Sequence, residues 1–475
     1  MLVMVCGSAF AQSNQGADLQ RQQQLNELQQ LELDNRILAN EAIPAGQRAL
    51  FDYGGYISPE YFSVDDSNQV NHSLWEYQLV GYLRANFDGA NEFFARGSVQ
   101  YNDYVAGGSF DGLGSRFINP DFDRLYYKFD LAQYESAYNG KSINGDLTFE
   151  GGRDLVYWGN GLTLAEVLDG VEPSAKWGPI TVNTVAGVTP TRTVDFEPDR
   201  PEFSYDTRRG FYGVMIGADV AQQHPYIFGL MQRDYNTQNL SINGPITTRY
   251  SYNSNYLGFG STGPISDHLR YAFEGVCEFG NDLSDSSMVS GFVLVPVAQT
   301  RDNIRAYAAD GRLDYAPQDA NNSRITLEGI VASGDGDRGL TNTTFNGNAP
   351  NTPDQAFNAF GLLTTGLAFA APVSNLVVAH VGMSTFPFPE SRYLRRFQIG
   401  TDLYGFNKEN ASAPIDESTN RGVVYLGWEP DFYLNWEAAS DVTLTMRYGV
   451  FMPNTAAFPS DKARQFLYAG AIFAF

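Results

Sequence analysis

The last twelve residues, RQFLYAGAIFAF (464–475), place Leu467, Ala469, Ala471, Phe473 and Phe475 at alternate positions and end on an aromatic side chain. Period-two spacing of apolar residues belongs to a strand with two unlike faces. The pattern is clearest at 74–88 (LWEYQLVGYLRANFD). There Trp75, Tyr77, Leu79, Gly81, Leu83, Ala85 and Phe87 share one face, and Glu76, Gln78, Val80, Tyr82, Arg84 and Asn86 the other. It recurs at 93–101, 124–131, 269–279, 324–331, 396–405 and 442–450. One such segment is weak evidence, whereas phased repetition along the whole chain is specific. A soluble sandwich would turn the apolar face to a core. A membrane barrel turns it to lipid and the polar face to a lumen. The aromatic ending resembles the terminal strand by which bacterial outer-membrane proteins are inserted, which decides for the barrel, and closure follows because lipid leaves no strand edge unpaired.

Composition agrees. Aromatics make up 14% of the 475 residues, with Gly 47, Tyr 28 and Phe 33, and no apolar run approaches the ~20 residues of a spanning helix. The formal net charge of −23 argues against a nucleic-acid partner, since phosphate binding needs clustered Lys and Arg. Residues 1–11 read as a signal peptide ending in Ala9-Phe10-Ala11, which leaves Cys277 as the only cysteine of the mature chain. Residues 12–46 form a periplasmic segment, helical or coiled-coil in pattern, in which Leu28, Leu31, Asn35, Leu38 and Ala42 fit a heptad. Residues 16–43 are thus either a homo-oligomer contact or a helix that packs against, or partly plugs, the barrel. The barrel occupies 47–475. The fold class expected is all-β: a transmembrane antiparallel β-barrel of 16–18 strands, 18 favoured, with a short N-terminal helix. Seventeen strand candidates are visible, and 288–299 (MVSGFVLVPVAQ) offers an eighteenth. Barrels of this size enclose a water-filled channel.

Several local motifs resemble the alginate-export-type outer-membrane porins. They are FEGGRDLVYWGNGL (149–162), VASGDGD (331–337), LGWEPDFYLN (426–435) and LTMRYGVFMP (444–453). The resemblance implies an eighteen-stranded monomeric pore that carries polysaccharide across the outer membrane. The strand phase places Arg84, Arg96, Arg124, Lys128, Arg270, Arg324, Arg396 and Arg447 on lumen faces, with Glu150, Glu274, Glu328 and Asp402 among their acidic neighbours. Such cations would draw an acidic polymer. The mixed sign of the wall instead favours a permissive pore for oligosaccharide or other hydrophilic solutes. Tyr82, Tyr126 and Tyr404 are lumen rings suited to stacking on sugars. Arg153 falls on the lipid phase, so Gly151-Gly152 is expected to form a bulge that returns it to the lumen.

Two stretches read as loops: 162–178, a candidate constriction, and 340–372, long and ending in the apolar FGLLTTGLAFAAP. Asp335 and Asp337 form a D-x-D pair that is a weak calcium signal, and no other cofactor is expected. An enzyme is not expected. There is no G-x-S-x-G or H-E-x-x-H, and His72, His224, His268 and His380 stand apart. The alternatives to an export pore are a general diffusion porin, trimeric through the N-terminal helix, and a scaffold around a partner protein. All of these place the chain in the bacterial outer membrane, with lipid as its first partner.

Overall fold

The computed structural model describes residues 49–475, apart from 110–112, 192, 197–206, 237–239, 244, 245, 291, 292 and 339–346. The signal peptide and helix expected over 1–46 lie outside the described residues. The first half of the chain runs β1 (Leu50–Asp65), β2 (Asn71–Phe87), β3 (Asn91–Ala106), β4 (Arg116–Asp130), α1 (Leu131–Asn139), β5 (Asp146–Trp158), β6 (Leu164–Trp177), β7 (Ile180–Val188), β8 (Arg209–Ala218), β9 (His224–Asp234), β10 (Leu240–Asn243) and β11 (Ile246–Arg249). The second half runs β12 (Tyr252–Ser266), β13 (Leu269–Leu283), β14 (Ser287–Ser290), β15 (Val293–Pro296), β16 (Arg301–Tyr315), β17 (Arg324–Ala332), β18 (Leu376–Thr385), β19 (Phe397–Asn407), β20 (Tyr425–Ala439), β21 (Val442–Pro453) and β22 (Arg464–Ala474).

Eighteen strands form one antiparallel sheet, and β1 pairs with β22 to close it. At the seam Gly55 and Phe475 exchange main-chain hydrogen bonds of 3.1 and 2.9 Å, so the terminal residue fastens the cylinder and no edge is left open. The faces follow the sequence phase. Trp75, Tyr77, Leu79 and Leu83 of β2 are exposed on the outside, while Leu74, Glu76 and Val80 are buried inside. Connections at the end holding Phe475 are mostly short, such as 178–179, 267–268 and 440–441, and those at the opposite end are long, reaching 333–375. Short periplasmic turns and long extracellular loops are the pattern of outer-membrane barrels.

The eighteenth wall strand is not the one expected. Residues 288–299 contribute to the small β14–β15 hairpin within an extracellular loop, and the missing strand is β6, inside the stretch read as a loop. Gly170, Pro173 and acidic residues on both phases (Glu166, Asp169, Glu172) disguise its alternation.

The buried apolar side chains lie inside the cylinder, toward the extracellular end. One cluster gathers Phe62, Leu74, Leu367, Phe369, Phe406, Phe451 and Phe466; the other gathers Trp158, Leu162, Leu164, Phe211, Phe228, Phe357 and Phe360. Each contains residues of the loop 333–375, so the expected apolar loop end is a plug packed on the wall. Burial of each large ring contributes roughly 1.5–3 kcal/mol toward holding it there.

Candidate functional site

Two segments cross the lumen. The first is the tip of the β5–β6 hairpin. The β4–β5 ladder stops at Leu125↔Arg153 and the β6–β7 ladder starts at Asp169↔Val188, so residues 154–168 pair only with one another in the barrel sheet. The tip turns inward and crosses to the far wall, where the Asn160 N–H donates to Glu274 Oε2 of β13 at 2.7 Å and Tyr226 Oη donates to the same oxygen at 2.6 Å. Its underside packs Trp158 edge-on against Phe228, with ring centroids 6.4 Å apart.

The last wall pairings before the departure run through Gly152, whose φ is +139°. A Cβ there would lie 2.2 Å from the Leu125 carbonyl oxygen and 2.7 Å from Tyr126 Cα, both backbone atoms that cannot yield. Gly152→Val is therefore expected to cost the backbone strain of a positive φ, ~1–3 kcal/mol, plus the clash. The folded, heat-modifiable band on unheated gels should drop sharply. Gly81→Ala, with nothing within 4 Å, should leave it unchanged and is the control.

Arg153 corrects the sequence expectation. It stays in register with the outward Leu125 and with Asp169 instead of swinging to the lumen. Neutralisation replaces relocation: its guanidinium binds Asp169 at 2.6 and 2.9 Å, Asp121 at 3.3 Å and the Phe122 carbonyl at 3.0 Å.

The second segment is the described part of the loop 333–375 from residue 347 onward. Ala165 N–H donates to the Phe360 carbonyl at 2.7 Å and Leu362 N–H to the Gly161 carbonyl at 2.8 Å, joining the loop to the hairpin tip. Wall carboxylates then hold its main chain. Glu278 accepts from Asn358 N–H at 3.0 Å, Asp431 from Leu367 N–H at 3.1 Å, and Glu429 from Ala368 and Phe369 N–H at 2.5 and 2.8 Å. The turn needs Gly366, at φ +88°, because a Cβ there would stand 2.8 Å from the Glu429 carboxylate. Glu274, expected as a cargo contact, is thus a tether. Glu429 and Asp431 were not among the sequence candidates, and their signal is a Glu-Pro-Asp run with both acids on the lumen phase of β20.

Below the plug lies a cavity of about 550 Å³ lined by Tyr157, Asp310, Arg312, Arg324, Glu328, His380, Asp402, Tyr433 and Arg447, among others, with Leu362, Leu363 and Leu367 above. His380 faces Glu328 and Asp402, each ring nitrogen 2.9 Å from a carboxylate oxygen, and stacks on Tyr404 at 4.3 Å. Arg324 binds Asp314 at 2.9 Å. Arg447, only 9% exposed, lies over the Tyr433 ring at 5.7 Å and has no ion pair among the described residues. Arg270 is exposed near the periplasmic end of β13, and Arg396 sits one residue before β19, on the turn, bound to Glu437; it is a rim residue and not part of the wall.

The opposite wall carries a row of neutralised cations. Arg84 binds Glu92 at 2.6 Å, Arg96 binds Asp123, Arg124 binds Asp154 at 3.2 Å, and Lys128 lies 4.0 Å from Glu150. Beside them Tyr82, Phe94 and Tyr126 form a row of near-parallel rings, with centroids 6.2 and 5.3 Å apart. No β4 residue joins either apolar cluster, so this polar strip lies clear of the plug's apolar packing.

At the D-x-D pair, Asp337 N–H donates to Asp335 Oδ1 at 3.0 Å, and Arg338 stands 3.9 Å from Asp335 and 3.6 Å from Asp354, a guanidinium between the two acids. Burial and the nearby Asp354 push the Asp335 carboxyl up to about 6, against the pull of Arg338. Among the described residues no three His, Cys, Asp or Glu side chains converge as a metal site.

The family model described as "Alginate export" matches residues 197–464, more than half of the chain. The chain belongs to the alginate export family. With its closed eighteen-stranded barrel, it is an integral outer-membrane protein of the porin type. Solved structures with a similar barrel include OccAB1 of Acinetobacter baumannii, 11% identical, with a TM-score of 0.53 over 92% of this chain and 99% of that one. OccK8 (OprE) of Pseudomonas aeruginosa is 10% identical, with a TM-score of 0.53 over 90% and 98%. These likenesses concern the fold. A Vibrio cholerae maltoporin is 27% identical over 121 residues, so the match spans about a quarter of this alginate-export-family chain and 27% of the maltoporin.

Proposed function

We propose that this porin passes hydrophilic solutes of mono- to oligosaccharide size and filters them at the plug, rather than serving as an open conduit for a long acidic polymer. The observation that carries this reading is the double crossing of the lumen by residues 154–168 and 358–369, tied to Glu274, Glu278, Glu429 and Asp431. Paired charges along β2–β5 support a wall of nearly balanced sign, and the ring row Tyr82–Phe94–Tyr126 supplies apolar contact for sugar faces. The short likeness to a maltoporin points the same way.

Proteoliposome swelling with sugars of rising size tests it. Glucose and glucuronate should enter at similar rates, rates should fall steeply beyond a few sugar units, and long polyuronate should neither enter nor block ion current. Current block by polyuronate at low concentration would favour the polymer conduit and defeat this reading.

A further inference from the structure

The lipid-facing side of the barrel carries a groove of about 620 Å³ near its periplasmic end. Met383, Ile399, Thr401, Phe432, Leu434 and Met446 line it. The Thr401 hydroxyl donates to the Asp431 carbonyl at 2.9 Å, so its polarity is spent on the wall and the groove stays apolar. Met383 and Ile399 each lie three residues from the periplasmic turn 386–396. That turn carries Arg392, Arg395 and Arg396 against one acid, Glu390, in a chain of net charge −23. Arg396 is bound to Glu437. Arg392 and Arg395 are exposed and have no carboxylate partner among the described residues; Arg392 lies over the Tyr393 ring at 5.8 Å. Trp436 Nε1 donates to the Tyr393 carbonyl at 3.1 Å and meets Phe397 edge-on, so the turn is moored to aromatic residues of the kind that mark a membrane interface.

We propose that this groove and turn form a binding site for an anionic phospholipid of the inner leaflet of the outer membrane. One acyl chain lies in the groove, and the phosphate meets Arg392 and Arg395. Charge complementarity selects the occupant: guanidinium groups bind phosphate through paired, geometrically matched hydrogen bonds. An apolar cleft three residues from a turn with two exposed arginines suits a molecule that is apolar at one end and anionic at the other. The site lies outside the channel, so it stands or falls independently of the cargo.

The test is native mass spectrometry of the full chain in micelles holding equal amounts of phosphatidylglycerol and phosphatidylethanolamine. Wild type should retain the anionic lipid with a preference of roughly thirtyfold, the scale expected from two arginines near a membrane surface. The double variant R392Q/R395Q should lose the preference while still binding both lipids weakly, and Thr401→Trp, which fills the groove, should lose retention of both. Heat modifiability on gels confirms that each variant is a folded barrel. Equal retention of the two lipids by wild type, or an undiminished preference in R392Q/R395Q, overturns the proposal. So does a dimer that Thr401→Trp disperses, since the groove would then hold a second copy of the chain.

Discussion

Glu429→Ala is expected to raise single-channel conductance several-fold and to make it fluctuate. Glu429 is fully buried and accepts from the main-chain N–H groups of Ala368 and Phe369. Alanine would remove the carboxylate that both buried N–H groups reach, at ~1–3 kcal/mol for a buried donor left unsatisfied. The segment can recover that cost by leaving the wall and hydrating both groups. The opposing force is apolar packing, chiefly Phe369 stacked on Phe451 at 4.4 Å and tilted against Phe406 at 4.6 Å. A few kcal/mol is enough to change a mostly closed loop into one that opens often, which is why the effect should show as flicker and not only as a higher mean. Glu429→Gln should be intermediate, because its amide offers one acceptor oxygen where the carboxylate offers two and turns an N–H toward the second donor. Planar-bilayer recording reads all three proteins. Identical conductance in Glu429→Ala and wild type, with the barrel folded, would show that Glu429 does not hold the constriction.

The distribution of legible and hidden features has a physical cause. A strand that sees lipid on one side and water on the other must alternate, so Trp75 to Phe87 and Leu467 to Phe475 announce their faces one residue at a time. β6 hides because its first residues leave the wall: Leu164 and Leu168 point into an apolar packing layer inside the lumen, and the lipid–water contrast that writes the pattern is absent there. The cations were legible as lumen residues, and Arg84, Arg96, Arg124, Lys128, Arg324 and Arg447 lie on that face. Their partners were not, because Arg124 and Asp154 are separated by thirty residues of sequence and only pairing of β4 with β5 brings them together. Tethers are harder still. A carboxylate that holds a backbone N–H uses a group every residue carries, so nothing in the loop sequence marks Ala368 or Asn358 as its target. Arg153 shows the limit of phase reasoning: the phase was right, and the expected bulge was unnecessary because Asp169 and Asp121 supply the counter-charge in place.

Removing both counter-charges of the β3–β4 arginines should convert a nearly neutral strip into an anion-selective one. Arg96 and Arg124 stand directly opposite in register, an arrangement that like charges disfavour, and Asp123 and Asp154 make it tolerable. The pair is only 7% and 5% exposed, so the surrounding protein screens it less than bulk water would. Asp123→Asn/Asp154→Asn would remove two negative charges from beside these guanidinium groups on the lumen wall, and a channel focuses the resulting positive field on whatever enters. The anion-to-cation permeability ratio should rise roughly tenfold, the lower part of the range for charge-lined clefts, and the reversal potential in a potassium chloride gradient should move toward that of chloride. Raising the salt concentration should shrink the shift as screening shortens the reach of both charges. Asp123→Glu, which keeps the charge, should leave selectivity near wild type, and Arg96→Gln added to the double variant should recover part of it. A folded double variant with an unchanged reversal potential would mean that permeating ions do not approach the β3–β4 strip, and the conducting path would then have to run along the Arg447 side of the lumen.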